Sequence, residues 1–177
     1  MHHDEKFQMT ESIFSDLPKQ TQTELVKLSD AVGGVLPIEV REWSIDVATL
    51  PDSSNEFEPI QEISEWVGQS TPCLYLFKYS TNNVDTTNVG LCFEKSKKEK
   101  VNGRAYSRFN ASLGTCLYVG SSQSMGTRFK EHLGYGYAST YALQLIHWAR
   151  PLGLHLQFVC AKYAKDTTAE VLQALED

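Results

Sequence analysis

No stretch of this sequence approaches the roughly 18 consecutive apolar residues of a membrane-spanning helix. The opening Met1-His2-His3-Asp4-Glu5 also lacks the basic-then-apolar pattern of a secretory signal, so a cytosolic (cytoplasmic) protein is expected. The four cysteines, Cys73, Cys92, Cys116 and Cys160, include no C-x-x-C pair and have no histidine spacing that would gather zinc ligands. Three of them lie in apolar, strand-like runs and read as small, reduced core residues. Internal repeats and low-complexity tracts are absent, and 177 residues suit one main domain with a small appendage. Cations are scarce at the start: residues 1–71 hold 4 Lys+Arg against 14 Asp+Glu, a balance of −10. Residues 72–165 reverse it with 12 against 4, a balance of +8, before an acidic end. The net charge of −6 therefore conceals a basic block of the kind a phosphate-binding surface needs.

Apolar periodicity divides the chain. Leu25, Leu28 and Val32 recur at helical spacing ahead of Gly33-Gly34, which predicts a short amphipathic helix. Alternation from Leu36 to Val47 suits one or two half-buried strands with Pro37 at an edge. Residues 50–55 read as a loop, and Pro59 opens a helix whose Ile60, Ile63 and Val67 share a face. These first 71 residues (1–71) form an acidic accessory region. Cys73–Phe77 and Cys116–Val119 are unbroken apolar runs that read as buried strands. A basic insertion at about 80–115 separates them, expected as a polar arm with a short strand at Gly90–Phe93. A helix is expected from Gly126 to about Leu133, another from Ser139 or Thr140 through Ala149, a third strand over Leu154–Cys160, and a last helix opened by a Thr167–Glu170 capping box.

Cys73-Leu74-Tyr75 and Tyr118-Val119-Gly120, with Arg128 ten residues after Tyr118 and His132 four further on, resemble the motifs of the GIY-YIG nuclease family over about residues 72–177. Cys73 stands where that family usually has glycine. The resemblance implies an α/β fold: a small mixed sheet with a three-stranded core, flanked by helices, with an N-terminal α+β extension. The family's domain continues beyond the position matching Glu176, so its C-terminal part is expected to be truncated here.

Spacing supports the chemistry separately. Arg128 and His132, four apart on a helix, project from one face, while Phe129 and Leu133 suit packing on strands. An arginine offers parallel donors to the charge that builds on phosphorus during phosphodiester cleavage. The plainer reading makes Arg128 an exposed partner of Glu131 and His132 a surface residue. The resemblance implies that Tyr75 and Tyr118 meet in a cleft, that one of them assists an attacking water, and that a single glutamate binds one divalent metal, Mg2+ (or Mn2+). A phenol acts as base only if its pKa falls well below about 10. Glu176 is preferred over Glu170, which the capping box explains. Lys95, Lys97, Lys98, Lys100, Arg104, Arg108 and Lys130 are the expected nucleic-acid contacts, with Tyr106 and Phe109 available for stacking. The expectation is a metal-dependent DNA endonuclease with no small-molecule substrate; the alternative is a nucleic-acid-binding module of the same fold that cuts little or not at all.

Overall fold

The computed structural model describes residues 3–81, 84–108 and 115–176, with the backbone alone for 3–17. The chain divides into two units, one ending at Leu36 and the other spanning Pro37–Asp177. The first consists of helix α1 (His3–Gly33), far longer than the short helix expected from Leu25, Leu28 and Val32, with Pro18 inside it. Among the described residues, no helix is long and apolar enough to cross a membrane.

The second unit is built on a sheet of four strands: β1 (Glu39–Asp46), β2 (Cys73–Tyr79), β3 (Cys116–Ser122) and β4 (His155–Lys162). Their order is β1-β4-β2-β3. The fold is α/β as expected, but every neighbouring pair is antiparallel and the sheet is not mixed. Strand alternation sorts the side chains. Tyr75, Phe77, Phe158, Leu156, Trp43 and Ile45 are buried on the inner face, whereas Leu74, Leu76 and Val119 on the outer face are half-buried. Phe77 stacks on Phe129 at 6.1 Å, and Phe158 lies 4.6 Å from Phe129 and 4.9 Å from Phe77. Each such ring removed from water contributes roughly 1.5–3 kcal/mol.

Helices α2 (Glu58–Val67) and α4 (Met125–Leu133) pack together over this inner face, while α5 (Ala169–Glu176) contacts β3 and β2. The compact unit thus begins at Pro37 and not at residue 72: β1 is an edge strand of the main sheet, and Ile63 and Val67 of α2 are core residues. The supposed polar arm contains helix α3 (Thr86–Glu99) instead of a strand at Gly90–Phe93. Asp85 caps it by accepting from the Asn88 N–H, and Val89, Phe93 and Ser96 supply its buried face. The helix expected through 140–149 is replaced by a turn, a 3-10 segment at Leu145–His147 and a second at Arg150–Leu152. Gln144 breaks the run with a left-handed φ of 59° and buries its amide against Arg104, Ala105 and Thr140. At α5 the cap is Thr168, which accepts from the Val171 N–H, one residue later than the capping box placed it.

Candidate active site

Tyr75 on β2 lies opposite Gly120 on β3, two residues along from the pair Phe77 and Tyr118 and on the same face. With no side chain at Gly120, the Tyr75 ring crosses β3 and stacks beside Tyr118, centroids 6.0 Å apart and planes 26° apart. A Cβ at Gly120 would sit 2.6 Å from Tyr75 Oη and 2.7 Å from Tyr118 Cε1. That contact explains physically why glycine follows Tyr118-Val119.

Helix α4 brings the cation. Arg128 Nε donates to Tyr75 Oη at 3.2 Å, Nη1 to Glu131 Oε2 at 3.0 Å, and Nη2 reaches Tyr118 Oη at 3.5 Å, the weakest of the three. Arg128 thus faces the two phenols and also pairs with Glu131, but it is partly buried and not the exposed partner of the plainer reading. Side-chain exposures of 21% and 19% make this pair less screened than an open surface ion pair.

His132 is fully buried and not a surface residue. Its Nδ1 accepts from the Leu143 N–H at 3.2 Å, so in the neutral ring the hydrogen sits on Nε2, which donates to Tyr75 Oη at 2.8 Å. Burial, and then the Arg128 charge, hold its pKa well below the usual value and keep it neutral. His132 therefore positions Tyr75 and does not face a phosphate. Tyr75 Oη receives N–H groups from both His132 and Arg128, an arrangement that favours a phenolate. Burial opposes it more strongly: with the neighbouring Tyr118 it raises the Tyr75 pKa far above that of free tyrosine, and the pull of Arg128 does not compensate. Tyr75 is a buried neutral phenol, whereas Tyr118 is only partly buried.

Glu176 does not join this group. Its Oε2 accepts from Ser121 Oγ at 2.8 Å. Ser121 is paired with Leu74 and alternates with Gly120, so its side chain leaves the outer face of β3 while the phenols occupy the inner one. The carboxylate at the phenol cluster is Glu131, already bound by Arg128. Magnesium takes several oxygen ligands in near-octahedral geometry. One carboxylate and one hydroxyl on the outer face do not fit a metal shared with the two tyrosines.

The expected nucleic-acid contacts separate. Lys95 and Lys98 are exposed on α3, Arg108 is exposed, and Lys130 is half-buried on α4. Lys97, Lys100 and Arg104 line one pocket with Tyr106 and Tyr141. Arg104 Nη1 donates to Gly136 O at 2.9 Å and Gln144 Oε1 at 3.0 Å, so part of its fork is structural. Tyr106 is buried against Phe93 at 5.8 Å and offers no stacking face, and Phe109 falls outside the described residues. Sequence reasoning missed Gln144; forty residues separate it from Arg104, and no local pattern joins them. The chain matches no protein-family model, no curated protein and no solved structure.

Proposed function

We propose that this chain is an endonuclease that hydrolyses DNA phosphodiester bonds at the Tyr75–Tyr118–Arg128–His132 cluster. One observation carries the reading: a partly exposed guanidinium bonded to two phenols, one of them only partly buried and the other held by a buried neutral imidazole. Arg128 is the group for the charge that grows on the phosphoryl oxygens. The buried, protonated Tyr75 holds the Nε edge of Arg128 and steadies its aim. Tyr118 is the phenol available to the attacking water: water oxygen bonds to phosphorus, the bond to one sugar oxygen breaks, and the water proton reaches that oxygen through the Tyr118 hydroxyl.

The second reading, a DNA-binding module that does not cut, is favoured by Glu176 lying on the outer face and by Glu131 occupying Arg128. Nicking of supercoiled plasmid with magnesium, manganese or chelator separates the two. For the nuclease, Arg128→Ala lowers the nicking rate by roughly 10²–10³-fold, the usual loss for one oxyanion-stabilising donor. Salt-sensitive DNA binding without nicking under any metal condition replaces the nuclease reading with the module.

A further inference from the structure

The pocket between the end of α3 and residues 138–141 has about 250 Å³ of space, and among the described residues no acidic side chain lines it. Lys97, Lys100 and Arg104 contribute three positive charges. Drug-sized ligands occupy pockets of about 300–1,000 Å³, so this one takes a smaller group. Its floor is firm: Tyr106 packs on Phe93, and its backbone bridges Ala142. Its rim is Tyr141, a ring that is 70% exposed beside three cations.

Helix electrostatics offers a plainer account, since Lys97 and Lys98 both lie in the last turn of α3, where cations favour the helix dipole. That account treats the two lysines alike, but the fold does not: Lys97 lines the pocket and Lys98 does not. It also leaves unexplained why Tyr141 stays in water. A continuous series of contacts links this pocket to the phenol cluster. Arg128 binds Glu131, a Cβ at Gly136 would lie 2.7 Å from Glu131 Cγ, and Gly136 O accepts from Arg104.

We infer that this pocket is a subsite for one unpaired nucleotide of a DNA strand, with phosphate on Lys97, Lys100 and Arg104 and the base stacked on Tyr141. Its choice of ligand rests on the nucleic-acid reading above. An aromatic platform beside cations suits a strand whose bases are free to stack, whereas a duplex keeps its base faces covered.

The test is fluorescence anisotropy on the full chain with a labelled oligothymidylate of about 12 nucleotides and a blunt duplex of equal length. Tyr141→Ala is expected to weaken single-strand binding by about 5- to 150-fold, the worth of one base–aromatic stack. Tyr141→Phe retains the affinity, and neither change alters duplex binding. Lys97→Ala with Lys100→Ala lowers the salt slope for the single strand by about 1.4. Lys95→Ala with Lys98→Ala does not change it. The subsite is overturned by unchanged single-strand affinity in Tyr141→Ala, by equal loss on the duplex, or by equal effects of the two lysine pairs. Plasmid nicking in the same preparations separates the two ideas: nicking with an indifferent Tyr141 removes the subsite alone, and the expected binding losses without nicking remove the nuclease alone.

Discussion

His132 shows how one buried side chain couples packing, protonation and the candidate chemistry. It has no solvent contact and bonds at both nitrogens, so any proton it gained would displace the Leu143 N–H from Nδ1. Folded, its pKa is depressed well below 6.5; unfolded, it takes up a proton near that value. The unfolded chain then binds more protons below pH 6.5, so this contribution to stability is fully present above that pH and is lost as pH falls. Partly buried His147, which bonds Asn102 and Gly134 O, is shifted in the same direction, again mainly by burial. Unfolding free energies from urea titrations between pH 8 and 5 are expected to fall on the acid side, by at most about 1.4 kcal/mol per pH unit for each histidine. In His132→Gln that slope becomes shallower; an unchanged slope would remove the buried neutral imidazole. That Arg128 and His132 share one helix face was legible in advance because a spacing of four decides it, whereas the approach of Tyr75 and Tyr118 was implied only by the motif resemblance. Whether His132 faced phosphate or protein was not legible, because that depends on Leu143, which reaches it through a turn that looked helical.

Among elements, the β2–β3 pair is the most constrained. Gly120 is there because the Tyr75 ring occupies the space a side chain would take, with Tyr118 closing the other side. Gly120→Ala is expected to cost about 1–3 kcal/mol, as overpacking of a filled site does, and to separate the phenols from Arg128. Urea unfolding reads the first effect and plasmid nicking the second; a stable variant that nicks normally would show that the close approach is dispensable. Helix α3 teaches the opposite lesson about legibility. Its buried Val89, Phe93 and Ser96 are spaced for a helix, and Asp85 caps it, but Lys95, Lys97, Lys98 and Lys100 made the segment look like a solvated arm. Two apolar anchors and a serine are too weak a stripe to outweigh that polarity. Glu176 fails for another reason: spacing along α5 shows which residues share a face, but not which side of the sheet the helix covers.

At the scale of the whole molecule, composition drew the boundary at residue 72, where acidic sequence turns basic, and packing draws it at residue 37. Charge reports on the surface, whereas the sheet is held by inner-face contacts that the early residues supply. Trp43 and Ile45 lie opposite Phe158 and Leu156 of β4, and Trp43 meets Trp66 of α2 at 5.3 Å. Lys162 Nζ sits 4.4 Å over the Trp66 ring and 2.9 Å from Glu39, tying β4, α2 and β1 together. A chain of residues 37–177 is therefore expected to keep a cooperative urea transition. A chain of residues 72–177 loses Trp43, Ile45, Val47, Ile63 and Val67 from the core and turns β4 into an edge, and it is expected to show no cooperative transition. Circular dichroism of the two truncations decides the matter. If the shorter chain unfolds at the same midpoint as the longer one, β1 and α2 are an accessory layer, and the candidate site stands on three strands alone.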